Sequence, residues 1–178
     1  IVASLYALKA IKDSGLPLKR RLRILFGLNE ETGSADMKHY VKHGGEIPVM
    51  GFTPDGEYPV INGEKGLVNE GYTCKFTQSG ALHLKKLVGG TAHNIVPHHA
   101  FADFACDAAL AQEITAKTAE GVTVTLTDDG FTVAAEGVSA HGGTPWEGVN
   151  ANGRLVQFLA QLPIEGGLGV AIRFLAEK

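Results

Sequence analysis

Val122-Thr123-Val124-Thr125-Leu126-Thr127, then Asp128-Asp129-Gly130, then Phe131-Thr132-Val133-Ala134-Ala135 is the stretch whose reading decides the fold. Successive side chains of a strand point to opposite faces, so apolar residues spaced by two predict two strands with one buried face each. The Asp-Asp-Gly between them is turn chemistry, and the whole reads as an antiparallel hairpin. Working outward, residues 107–118 and 149–162 show helical spacing, and the second carries Ala151, Leu155, Leu159 and Leu162 on one stripe. The region beyond Gly66 is therefore expected to be α+β, an antiparallel sheet with helices on one face.

Upstream of Gly66 the pattern differs. Ile1, Leu5, Leu8 and Ile11 recur at helical spacing, and Gly15 and Pro17 stop the helix expected over residues 1–14. Leu22, Ile24, Leu25, Phe26 and Leu28 form a nearly continuous apolar run, which predicts a strand covered on both faces. A second helix fits 34–43, with Met37, Tyr40 and Val41 on one side, Asp36 in its first turn and Gly44-Gly45 past its end. A further strand is expected near 47–52, leading into the turn Thr53-Pro54-Asp55-Gly56. Alternation of helix and strand predicts part of a parallel α/β layer. Two domains follow, 1–66 and 67–178, with the boundary inside 64–70 and neither a low-complexity linker nor an internal repeat.

Bulk properties exclude several classes. A chain of 178 residues, 44% hydrophobic and 20% charged, has the composition of a folded globular protein rather than a disordered one. No apolar run is long enough for a bilayer. The formal net charge is -3, and the densest basic run, Lys19-Arg20-Arg21-Leu22-Arg23, leads straight into apolar sequence, so it reads as a solvated strand entry and not as a nucleic-acid face. Cys74 and Cys106, without a signal peptide, favour the reducing cytoplasm over a disulfide framework, and both read as buried small apolar residues. Ile1 opens a helix with no initiator Met and no cap, which predicts that sequence precedes it in a parent protein.

Chemistry-bearing residues cluster at turns. Glu30 and Glu31 sit where an expected strand gives way to a Gly-containing loop, the usual place for functional groups in α/β proteins. Asp55 lies in Gly51-Phe52-Thr53-Pro54-Asp55-Gly56-Glu57-Tyr58-Pro59-Val60, between prolines that restrict the backbone. His141 lies in a long loop, Gly137-Val138-Ser139-Ala140-His141-Gly142-Gly143-Thr144-Pro145-Trp146-Glu147-Gly148. Each has an ordinary reading alone: a solvated carboxylate pair, a turn aspartate, a surface histidine. His93, His98 and His99 match no helix-borne or finger-type zinc spacing.

Taken together, Asn29-Glu30-Glu31-Thr32-Gly33, the Gly-Phe-Thr-Pro-Asp segment ending at Asp55, Glu64-Lys65-Gly66, and Ala140-His141 with Pro145, Gly148, Asn150 and Ala151 resemble M20 metallopeptidases. The carnosinase-like Xaa-His dipeptidase branch is the most similar. The resemblance runs from Ile1 to about Leu162, in one order and at compatible spacing. It implies a catalytic domain with two zinc ions and a lid domain that closes over a dipeptide substrate. By the same resemblance Glu30 is the general base, Glu31 and Asp55 each ligate one zinc, His141 is the lid histidine at the reacting carbonyl, and Asn94 contacts substrate.

Three departures accompany these matches. The family's His-x-Asp motif, its bridging Asp and its last His ligand fall outside Ile1–Lys178, so the chain alone is expected to bind zinc weakly and to be inactive. His93 stands where a small residue or proline is usual, and Trp146 where a polar residue is common. Two other readings stay open: a non-catalytic lid-type binding or self-association module, and an N-acyl-amino-acid deacylase with the same ligands.

Overall fold

The computed structural model describes residues 1–56 and 59–178. Glu57 and Tyr58 of the proline-flanked segment lie outside the described residues. Two compact units make up the chain, residues 1–64 and 65–178. The described fold is mixed α and β, with five α-helices and one four-stranded antiparallel sheet.

In the first unit, α1 spans Val2–Asp13 and α2 spans Ala35–Lys42, with the 3-10 turn Glu30–Thr32 between them. Both helices lie where the apolar periodicity places them, but neither contains a buried residue. The strands expected at 22–28 and 47–52, and the parallel layer they imply, are not formed among the described residues. A run that is apolar on both faces becomes a strand only where neighbouring strands complete its hydrogen-bond ladder, and among the described residues this unit has none to offer. Leu22, Leu25, Phe26 and Leu28 are instead exposed. Polar contacts hold that segment: Arg23 donates to the Tyr40 hydroxyl at 2.7 Å, and Tyr40 donates to the Glu46 carbonyl at 2.9 Å. Arg21 and Arg23 both pair with the exposed Glu46 carboxylate. Exposed pairs of this kind contribute at most about 1 kcal/mol each. The basic run at 19–23 is thus solvated, as expected, but it is no strand entry.

The second unit contains the core. Its strands are β1 (His83–Gly89), β2 (His99–Ala105), β3 (Val122–Thr127) and β4 (Gly130–Glu136), in the order β1-β2-β4-β3. The hairpin forms with Thr127 opposite Gly130 and Val124 opposite Val133, so the Asp128-Asp129 pair makes the turn. Gly130 is required by space: a Cβ there would lie 2.1 Å from the Phe104 carbonyl oxygen. Ala100, Ala102 and Phe104 of β2 and Phe131, Val133 and Ala135 of β4 are buried on one face. Phe104 and Phe131 stack at 5.3 Å between ring centroids. Burying one such ring contributes about 1.5–3 kcal/mol.

Three helices complete this unit: α3 (Ala108–Thr115), α4 (Ala151–Leu159) and α5 (Gly166–Ala176). Helix α3 is capped by Asp107, whose carboxylate accepts from the Leu110 amide at 2.9 Å, and α4 by Asn150, which accepts from the Asn152 amide at 2.9 Å. Leu155, Phe158 and Leu159 of α4 and Ile114 of α3 join the sheet residues in one core, and α5 adds Leu168 and Ile172 against α4. Cysteine burial departs from expectation. Cys74 is an exposed free thiol, and Cys106 is half-buried at the rim of the core, where burial pushes its thiol pKa up. The Cys74 segment carries no regular structure that could cover it. Among the described residues no helix is long and apolar enough to cross a membrane.

Candidate active site

Glu30 and Glu31 occupy the same 3-10 turn, closed by the Gly33 amide donating to the Glu30 carbonyl at 3.2 Å. The backbone then passes through left-handed geometry twice, at Gly33 (φ 100°) and Ser34 (φ 51°). Among the described residues Ser34 is the one non-glycine with positive φ, a conformation that costs an L-residue about 1–2 kcal/mol. Asn29 holds the reversal. Its backbone carbonyl accepts from the Ser34 amide at 2.8 Å, and its side-chain oxygen accepts from the Ala35 amide at 2.8 Å. Strain that the surroundings over-determine is typical of functional turns.

Asp36 clamps the other side. Its carboxylate accepts from the backbone amides of Leu28, of Asn29 at 3.0 Å and of Met37 at 2.8 Å. The Leu28 amide above all holds its pKa below the ordinary 3.8, with the Met37 and Asn29 amides adding to the effect. A depressed folded-state pKa stabilises the turn above the unfolded value and is lost as pH falls through the folded one. The Leu28 and Asn29 amide resonances are therefore expected to titrate with a midpoint below 3.8 and to lose that transition in Asp36→Asn. A midpoint at or above 3.8, measured by amide NMR, contradicts the clamp. In the sequence Asp36 stands out only as an acidic residue in the first turn of α2, and its pairing with amides seven and eight residues upstream has no local signal.

Asp55 lies in the same unit on an exposed, irregular segment. Two carboxylates suit zinc, which takes oxygen ligands, but zinc sites need three or four protein donors. Among the described residues no group of three or more His, Cys, Asp or Glu side chains converges on one point. Glu31 and Asp55 fit the metal in kind and not in number.

The second unit places His141 and Asn94 side by side. The loop between β1 and β2 pairs with the loop after β4: Val96 donates to the Ala140 carbonyl at 2.8 Å, and Gly142 donates to the Asn94 carbonyl at 2.6 Å. Ile95 and His141 thus form an antiparallel bridge. Gly142 lets the strands approach, since a Cβ would lie 3.0 Å from the Asn94 carbonyl oxygen. The Val138–Val149 pair, 2.9 Å in both directions, closes the base of the loop, and Ala151 donates to Pro97 at 2.8 Å to tie it to α4.

His141 is exposed, and its orientation is fixed from within the loop. The Gly143 amide donates to His141 Nδ1 at 3.1 Å. A ring nitrogen that accepts a hydrogen bond carries no proton, so the neutral ring bears its hydrogen on Nε2 and presents a donor outward. The group can donate to developing negative charge on a carbonyl oxygen.

The chain matches the family model described as Peptidase family M20/M25/M40 over residues 1–162, and it belongs to that family. It is similar to "Putative dipeptidase YtjP" of Bacillus subtilis (strain 168), 32% identical over 92% of this chain and 37% of that protein. It is also similar to "Beta-Ala-Xaa dipeptidase" of Lactobacillus delbrueckii subsp. lactis, 30% identical over 97% of this chain and 38% of that protein. The chain spans little more than a third of the length of these relatives.

Proposed function

We propose that this chain is part of a metal-dependent dipeptidase, contributing its general base, two metal ligands and a carbonyl-polarising histidine. The observation that carries the proposal is the Glu30–Thr32 turn: two adjacent carboxylates on a strained backbone that Asn29 and Asp36 hold in one conformation. Family membership and dipeptidase-named relatives support peptide-bond hydrolysis.

The residues before the boundary at 64–70 are the proposed catalytic part and those after it the proposed lid; Lys65 packs with the second unit. Glu30 accepts a proton from the attacking water and passes it to the leaving amine, as a positioned general acid–base does. Glu31 and Asp55 are proposed carboxylate ligands of two zinc ions, whose remaining donors are not among the described residues of this chain. Zinc, when bound, supplies an acidified water and a Lewis acid for the carbonyl. His141 donates from Nε2 to the carbonyl oxygen, and Asn94 beside it contacts the substrate. Two ligands alone make weak zinc binding and no turnover the expected behaviour of this chain by itself. Free thiols at Cys74 and Cys106 support a cytoplasmic setting.

A substrate panel on the complete parent enzyme tests the reading. Dipeptides with free amino termini are expected to be cleaved in preference to N-acetyl amino acids. Cleavage of the N-acyl compounds alone would assign a deacylase, and binding without cleavage of either would assign a non-catalytic module.

A further inference from the structure

We propose that Lys65 is a positioning residue for His141. The inference rests on the carbonyl-donor role given to His141 above. Lys65 belongs to the same compact unit as the His141 loop, yet it is 76 positions away in sequence. Its ammonium donates to the Gly143 carbonyl and sits 4.6 Å from the centroid of the Trp146 ring. Gly143 is thereby held at both ends of its peptide: Lys65 takes its carbonyl, and His141 Nδ1 takes its amide. The two bonds act on one residue, so the first limits the rotation that would break the second.

Trp146 supplies the other half of the grip. It opens outward at 72% relative exposure, within the 3-10 turn Pro145–Glu147 that follows His141. That turn is tied back to the histidine, since the Thr144 amide donates to the His141 carbonyl at 2.9 Å. An ammonium over an indole face contributes about 0.5–1 kcal/mol at exposed sites. Lys65 therefore bridges two points, Gly143 and Trp146, that flank the segment presenting His141. Among the described residues its partners are a carbonyl and a ring. The polar-to-aromatic departure at Trp146 thus acquires a purpose: it gives Lys65 a surface to rest on.

A positioning residue acts only through the group it positions, which a double-mutant cycle exposes. In the complete parent enzyme, Lys65→Met is expected to lower kcat for dipeptide hydrolysis about tenfold with KM little changed, and Lys65→Arg to restore most of it. In a His141→Ala background Lys65→Met should change kcat by less than about twofold. An equal drop in both backgrounds, or no drop in either, overturns the proposal. A second readout does not depend on hydrolysis. Hydrogen exchange at the Gly143 amide should accelerate about tenfold in Lys65→Met, because the hydrogen bond to Nδ1 opens more often. Unchanged Gly143 exchange overturns the proposal. If the parent enzyme cleaves no dipeptide while Gly143 exchange accelerates, the proposed function fails and the Lys65 grip on the loop stands.

Discussion

Glu30→Gln in the complete enzyme is expected to lower kcat for dipeptide hydrolysis by about 10²–10⁴ while leaving zinc content intact, as removal of a general base does. Glutamine keeps the shape of the side chain and discards its basicity. The turn itself should survive the change, because it is closed by backbone bonds and by the side chains of Asn29 and Asp36, not by the Glu30 carboxylate. Glu31→Gln is expected to differ in kind, losing metal as well as rate, since a neutral amide is a weaker ligand than a carboxylate. Metal analysis alongside kinetics separates the two roles. Zinc lost from Glu30→Gln and kept by Glu31→Gln would reverse the assignment of base and ligand.

His141→Ala carries the second large effect. An exposed imidazole whose Nδ1 is occupied by the Gly143 amide has one useful group left, the Nε2–H. Charge on the carbonyl oxygen grows as water attacks, so a donor aimed there stabilises the transition state more than the ground state. The expected loss is about 10²–10³ in kcat, or ~3–4 kcal/mol, with a smaller change in KM and normal zinc content. Unchanged kcat would leave His141 a surface residue of a binding module. Lost zinc would make it a ligand.

Legibility of the fold followed the strength of local pattern. The 122–135 hairpin was readable because Val122, Val124, Phe131, Val133 and Ala135 follow the buried face at strict period two, although Leu126 at the same period stays exposed, and the structure places its turn at Asp128-Asp129. Helices α1, α2, α3 and α4 each fall inside the spans their periodicity predicts. Strands β1 and β2 were missed for two different reasons. In β1 a register shift between Leu84 and Lys86 breaks the alternation, so apolar residues of one face do not keep even spacing. In β2 the buried positions are Ala100, Ala102 and Phe104, and alanine is a weak strand signal. Helix α5 begins Gly166-Gly167 and carries Gly169, residues of poor helix propensity that packing against α4 overrides.

The expected strands at 22–28 and 47–52 failed in the opposite direction. Apolarity reports a demand for burial, whereas a strand requires partners, and pattern alone cannot supply them. At the candidate site, Glu30, Glu31, Asp55 and His141 stood out in the sequence because each lies near a glycine- or proline-containing turn. The bonds that organise them did not. Asp36 reaching back to Leu28 and Asn29, and Lys65 reaching forward to Gly143, join positions with no periodic relation. Such contacts are set by the path of the backbone and leave no mark in composition or spacing.

Removal and return of metal, followed by dipeptide turnover, tests the central claim most directly. The complete enzyme is predicted to release free amino acids from a dipeptide, to stop when zinc is stripped by a chelator, and to resume when zinc is restored. Turnover that persists in the stripped protein, or none at any metal loading, would contradict the account.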